Sequence, residues 1–439
     1  MYITRTMAVA FAIAVPLYID AAPAAAQTPS YTANGDPALA ALIAGALEGN
    51  PRVRGSFLEY QAARARISQA STLPNPAVSF TQHLMGAQTR VGPQLSNISV
   101  SQALPWFGTL SDRREIAAVQ SDIRNQSYAE QRAEVIRHVK LAWYDLAYLD
   151  QALRITEEEE QLLLHYEALA QARYSQGFGQ QQEVVKLQAE VTRVLNRRQE
   201  LLRQRTDFEA ALNVLANRPV DTPVPPVEIG ERPAVDLDEE ALHGTGLGAR
   251  PEVRSARLRI ESGGTEVRLA RRRYRPDFTV GVAWGNVLGR RDEPGRLNPP
   301  PGNGRDTYSL TFGASVPVFR SSYDAGVREA AARLSAAEEA YQDAANGVAF
   351  AVRSTAFRLT TIEGQLALFE DALLPQAEQA LSATEEAYSA GVTGVLELLD
   401  SEEMLLDVRL GLARLQADYM KALAEMERAI GSAFPEEGS

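Results

Sequence analysis

Two periodicities alternate along the chain. In Val78–Leu84 apolar residues mostly take the even positions, and they do so again in Asn97–Leu104. The pattern returns at Phe278–Trp284 and Tyr308–Val316, with Ser, Thr and Gly filling the other face. A short loop at Gly86–Ser96 and a long one at Leu288–Arg305, rich in Pro and Gly, are expected as the turns between the paired strands. Strict alternation gives a strand one oily and one polar side. Such a strand is half-buried in a soluble sandwich, or it crosses a bilayer with its oily side in lipid. The rest of the chain reads as helix. Residues 108–175 lack proline and predict one helix of about 100 Å. Residues 321–390 predict a second, with one proline, Pro375. Shorter helices are predicted at about 37–72, 183–217, 238–274 and 392–430. Each pair of short helices sums to roughly one long helix and fits end to end beside it.

The chain also repeats itself. Tyr174-Ser-Gln-Gly177 returns as Tyr388-Ser-Ala-Gly391, an offset of 214 residues, and Glu183 then falls on Glu397. Downstream, Leu405, Val408, Leu412, Leu415, Tyr419, Ala422, Met426 and Ala429 keep a 3-4 spacing. The matching positions of the first copy are Val191, Val194, Arg198, Leu201, Arg205, Phe208, Leu212 and Leu215. This is the heptad seam of helices that supercoil on partners. Arg198 and Arg205 interrupt it, either on a wetter seam or by snorkelling. Leu104-Pro105-Trp106-Phe107 matches Val316-Pro317-Val318-Phe319, and Asn75-Pro76 matches Arg275-Pro276. The repeat divides the chain into a first copy at 27–217, a Pro-rich linker at 218–236, a second copy at 237–431 and a tail at 432–439. Proline-rich linkers cannot continue a helix.

Composition narrows the class. The net charge of −12 argues against a nucleic-acid partner. Without cysteine there is no disulfide and no Cys-ligated metal. Arg5, the apolar run Met7–Ile19 and Ala24-Ala25-Ala26 read as a secretory signal over residues 1–26. No later stretch is long and apolar enough for a transmembrane helix. An exported chain with lipid-type strands and no spanning helix points to a barrel. Four strands cannot close one, and an open edge in lipid is forbidden, so several chains must pool their strands.

At this point the residues resemble the TolC-like outer-membrane efflux family over essentially the whole mature chain. Leu73-Pro74-Asn-Pro76 is similar to that family's lead into the first strand. Gln102-Ala-Leu-Pro105-Trp-Phe-Gly108 is similar to its exit from strand to helix, and to members that serve heavy-metal pumps. Pro276 and Pro317 mark the same junctions in the second copy. The resemblance implies an α+β membrane protein: a long antiparallel α-helical coiled-coil barrel plus four transmembrane β-strands per chain. A homotrimer would pool these into one twelve-stranded β-barrel. It implies an outer-membrane efflux channel with a periplasmic extension, docking on a periplasmic adaptor (membrane fusion protein) and an inner-membrane pump. A type I secretion duct passing polypeptides shares this fold. A soluble periplasmic coiled-coil adaptor is the reading of a different class, and it leaves the strands unexplained.

A channel acts by size and charge, without catalytic residues or cofactor. Glu397 and Asp400 are i, i+3 and share one helix face. The resemblance puts such acids, with Glu183, at the narrow periplasmic entrance, where carboxylates from several protomers favour cations and raise one another's pKa. A solvated acidic helix start is the plainer reading. In the first copy Lys186 stands where the second has Asp400. Tyr174, Gly177, Tyr388 and Gly391 form the hairpin turns, and Tyr388 fits a polar link that closes the entrance. Thr393 stands where the family often carries an arginine, so this chain departs from that family's pattern at one closing link. No two of His83, His138, His165 and His243 have metal-ligand spacing, so no metal site is expected. Glu157–Glu160 reads as a solvated charge run, and Arg271, Arg272, Arg273 and Arg275 as a solvated helix end.

Overall fold

The computed structural model describes residues 36–233 and 235–434; the signal expected at 1–26 lies outside the described residues. Its long axis is set by α3 (Thr109–Ser175), 67 residues of unbroken helix. The second rod is α8 (Arg320–Leu368), which passes through one π turn (Phe369–Leu373) into α9 (Leu374–Ser389). Pro375 sits in the first turn of α9, where its missing N–H costs least. The wide turn before it absorbs the ring, so the rod continues instead of stopping.

The short helices run beside the rods as the lengths predict. α2 (Pro51–Ser71) and α4 (Gln181–Leu215) both pack on α3, and α6 (Pro251–Arg272) and α10 (Val395–Ile430) both pack on α8. The helix expected over 37–72 is two helices. α1 (Pro37–Gly49) ends at Asn50, whose side chain accepts from the Arg52 amide at 2.9 Å and caps α2 with Pro51 in its first turn. The helix expected over 238–274 likewise divides at Arg250-Pro251 into α5 (Glu239–Ala249) and α6. Proline disfavours helix in the residue before it, and both breaks fall there.

α1 and α5 lie across the middle of the rods and fill the main core with Leu39, Ala46, Val139, Leu146, Val348, Leu359 and Met426. Lys140 and Glu427, both almost fully buried, pair inside this core between α3 and α10. The Pro-rich segment that follows α4 is strapped down beside it. The Val227 amide donates to Asp150 at 2.8 Å, and the Val220 and Thr222 carbonyls accept from Asn213 at 3.1 and 2.8 Å. Arg205 makes an ion pair with Asp150 at 2.6 Å and donates to the Val224 carbonyl at 3.0 Å. Arg198 pairs with Glu157 at 3.0 Å. The two arginines that interrupt the first heptad seam therefore make it polar on purpose: they clamp α3 and the linker.

The strands form one antiparallel sheet in the order β1-β2-β3-β4. β1 (Ala77–Thr89) and β2 (Gly92–Leu104) are longer than the alternation suggests. The segment from Gly86 to Ser96, expected as a loop, is mostly strand; the register shifts between Gln82 and Ala87, and the reversal is a tight turn at Arg90-Val91. β3 (Asp277–Val287) and β4 (Thr307–Ser315) are joined by a long connection holding one turn of helix, α7 (Glu293–Leu297). The register builds apolar rows across the sheet. Phe80, Ile98, Trp284 and Tyr308 align, as do Val78, Val100, Val282 and Leu310. The alternate rows hold Ser79, Ser99, Ala283 and Ser309. The apolar face is bare, with Phe80 65% and Phe312 72% exposed. Among the described residues no second sheet covers it, so these strands do not form a sandwich within that part of the chain.

Pro74, Pro76, Pro105, Pro276 and Pro317 all lie in the four connectors between helix and sheet. There they stop helices and cannot enter the ladder. The connectors are tied together: Gln102 donates to the Pro74 carbonyl at 2.7 Å, and the Trp106 amide donates to Asp277 at 2.8 Å. Just below, buried Asp112 of α3 accepts from Arg268 at 3.1 Å and also from Arg272, both on α6. The arginine run at the end of α6 is thus not wholly solvated, because Arg272 is a structural tie.

Candidate functional site at the hairpin tips

Both helical hairpins end in the same turn, at the far end from the sheet. The glycine two residues past each helix has positive φ, +80° at Gly177 and +73° at Gly391. The Gly177 amide donates to the Tyr174 carbonyl at 3.0 Å and that of Phe178 to the Arg173 carbonyl at 2.9 Å. Gly391 and Val392 repeat this onto Tyr388 and Ala387, at 3.0 and 2.9 Å. The turn satisfies the last free carbonyls of the helix, and only a residue without Cβ holds that φ cheaply. That is the physical content of the doubled Tyr-Ser-x-Gly.

The two tyrosines differ. Tyr174 is exposed, whereas Tyr388 is only 1% exposed. Arg173 covers it: the guanidinium lies 4.7 Å from the ring centroid and also donates to the Tyr388 carbonyl. The Tyr388 hydroxyl and one oxygen of Glu183 are buried near this contact and have no hydrogen-bond partner among the described residues. Burial pushes the Tyr388 phenol above its ordinary value; the nearby Glu183 charge adds to this and Arg173 opposes it. Thr393 carries no guanidinium, but Arg173 brings one to the tyrosine from the other hairpin. Under the 214-residue offset Arg173 falls on Ala387, a break in the repeat that could have flagged it.

Glu397 and Asp400 sit in the first two turns of α10, exposed, while Leu398 between them is fully buried against the hairpin seam. Neither makes an ion pair among the described residues. Glu183 is not grouped with them; it turns inward toward Tyr388. Lys186 is half-buried one turn further along α4.

Higher in the hairpins lies a buried polar cluster that sequence reasoning missed. Glu159 of α3 and Glu402 of α10 are each 5% exposed. Arg197 of α4 pairs with Glu159 at 3.2 Å. Burial pushes Glu159 up to about 7, with Arg197 opposing it and Glu190, Asp407 and Glu403 reinforcing it. Burial likewise pushes Glu402 up to about 8, reinforced by Glu159, Glu190 and Glu403 against Arg197. A few residues nearer the tip, Tyr166 of α3 donates to Glu385 of α9. The run Glu157–Glu160 is therefore a solvated face with one inward member. Its 3.6-residue period turns Glu159 to the seam while Glu157 and Glu158 stay outside.

Comparison with known proteins agrees with this architecture. The family model described as outer membrane efflux protein matches residues 42–218 and 244–432. The pyoverdine export outer membrane protein OpmQ of Pseudomonas putida is 25% identical over 350 residues, spanning 77% of this chain and 70% of OpmQ. Among solved structures, the outer-membrane channel OprN superposes with a TM-score of 0.77 at 18% identity, covering 90% of each chain. The outer membrane protein VceC of Vibrio cholerae gives 0.74 at 18% identity, covering 90% of this chain and 97% of VceC. These structures share the fold, and the family match takes in both copies of the repeat. The chain belongs to the outer membrane efflux protein family.

Proposed function

We propose that three copies of this chain form one efflux duct, a homotrimer anchored in the outer membrane by a shared barrel. The observation that carries this reading is the pair of free sheet edges. Among the described residues β1 and β4 each have a neighbour on one side only, yet the sheet carries a bare apolar face. Unpaired backbone in lipid costs several kcal/mol per group, about the value for any unsatisfied amide there. Pairing β4 of one chain with β1 of the next removes every edge and gives twelve strands. The small polar rows of Ser79, Ser99, Ala283 and Ser309 then line the bore.

The helical rods continue that bore into the periplasm. Their tips end in exposed Phe178 and Val392, an apolar pair suited to docking on a periplasmic adaptor that couples the duct to an inner-membrane pump. Glu397 and Asp400, repeated by threefold symmetry, ring the entrance with carboxylates and draw cations to it. The Arg173–Tyr388 contact fastens the second hairpin to the first and holds the entrance narrow. Passage needs no bond-breaking step, so the reading is transport and not enzymatic catalysis. The soluble adaptor reading loses its ground with the bare apolar sheet.

The test uses the absence of cysteine. Thr81→Cys in β1 is combined with Thr307→Cys, Ser309→Cys or Thr311→Cys in β4. In outer-membrane preparations one register is expected to give a covalent species of three chain masses. Cross-linking that stops at two chains, or none in any register, overturns the pooled barrel.

A further inference from the structure

The duct accounts for the bore, the tips and the lipid face, but not for two arginines at the foot of the sheet. A cavity of about 560 Å³ lies beside the end of α6, lined by Trp106, Val267, Arg268, Arg271, Arg272 and Arg275. Arg268 and Arg272 are held by Asp112 and Glu115. Arg271 and Arg275 are exposed and have no ion-pair partner among the described residues, although the chain as a whole is acidic. The Arg275 guanidinium instead lies 5.7 Å from the centroid of the Trp106 ring.

Trp106 is also a wall of a second cavity, of about 490 Å³, which is lined by Leu73, Leu104, Phe107, Phe278 and Phe312. Phe278 is 5.9 Å from Trp106, ring to ring, and belongs to the apolar side of β3 with Val280 and Val282. The second cavity is therefore a downward continuation of the lipid-facing surface. The first opens next to it, at the helical end of the sheet. An apolar groove and a basic pocket that share one tryptophan match a molecule with a hydrocarbon chain and an anionic head. Two guanidinium groups suit a phosphate, and an indole at the bilayer boundary suits its glycerol region. The pocket is built from one chain alone, with α6 packed between α3 and α8.

We propose that the Trp106 junction binds an anionic glycerophospholipid of the periplasmic leaflet. Its phosphate lies between Arg271 and Arg275, and an acyl chain lies along Trp106, Phe278 and Phe312. The site fixes the depth of the duct in the membrane and is separate from transport.

The test uses full-length protein carrying Trp284→Phe, so that Trp106 is the tryptophan at the lipid boundary, while Trp143 stays buried in the helical core. The protein in neutral detergent micelles is titrated with phosphatidylglycerol or phosphatidylcholine brominated on the acyl chains, and fluorescence quenching is read. Phosphatidylglycerol is expected to quench at an about tenfold lower mole fraction. R271Q/R275Q is expected to abolish that preference and R271K/R275K to retain most of it. High salt on the unmutated arginines gives the same test without risk to folding: at about 1 M the Debye length falls to about 3 Å, and the preference must collapse. Equal quenching by both lipids overturns the proposal, as does a preference that survives R271Q/R275Q or high salt. Full displacement by millimolar inorganic phosphate marks a free-anion site and overturns it too.

Discussion

Arg173, the residue before the first hairpin turn, stacks its guanidinium 4.7 Å from the ring centre of Tyr388 in the second turn and donates to that residue's carbonyl. One side chain thus joins the two hairpins of a single chain at their tips. A cation–π contact is worth about 0.5–2 kcal/mol and a charge-assisted hydrogen bond about 1.5–3. Arg173→Ala is expected to free the second tip, raise single-channel conductance in planar bilayers and shorten closed intervals. Arg173→Lys, which keeps charge but not the planar fork, should fall between. Indistinguishable traces for the three proteins would remove the fastening role.

Among the described residues Glu397 and Asp400 make no ion pair with Arg173, so their role separates from that link. E397Q/D400N is expected to lower cation selectivity and weaken block by divalent cations several-fold while leaving opening kinetics alone. Unchanged conductance together with unchanged divalent block would sink the entrance-ring assignment.

Glu402 and Glu159 predict a pH dependence. In the folded chain their carboxyls are pushed up to about 8 and about 7, against an ordinary value of 4.5. Across that window the folded chain holds protons that the unfolded chain has released. Their contribution to stability is therefore complete below about pH 4.5, declines as pH rises, and is lost above about pH 8. Thermal unfolding should show the decline. Glu402→Gln should flatten it and stabilise the protein at pH 8.5, by about 2 kcal/mol from an uncharged buried amide. A wild-type melting temperature that rises from pH 5 to 8.5 contradicts the assignment.

Gly108 precedes α3 with φ of +83°, and a Cβ there would come within 2.5 Å of the Arg272 guanidinium. Gly108→Ala is expected to cost about 2–4 kcal/mol, from left-handed strain and from loosening Arg272 on Asp112. Gly230→Ala, at a glycine whose Cβ would meet nothing within 4 Å, is the control and should stay within about 0.5 kcal/mol. Equal melting temperatures for the two variants would show that the junction tolerates the clash.

Local features were legible where one stretch of chain suffices to cause them. The alternation in Phe278–Trp284 marked a strand because its two faces meet different media, and Gly177 and Gly391 marked turns because their φ demands glycine. Asn50-Pro51 carried a cap and a helix start in plain view, but the 3-4 apolar spacing runs across it and hides the break. Gly86 looked like a turn, yet a strand tolerates it beside the register shift, and the chain reverses four residues later. The site residues that were missed are those whose surroundings come from afar. Arg173 meets a tyrosine 215 residues away, and Glu159 is buried only because α4 and α10 close over it. No window along the chain contains those partners.

The unequal tyrosines have a geometric consequence. Six hairpins that look alike in backbone would stand around the axis of a trimer, but only alternate ones would carry a buried, arginine-covered ring. In the proposed trimer the apparent sixfold collar would then be threefold: three tips that offer an arginine would alternate with three that are held by one.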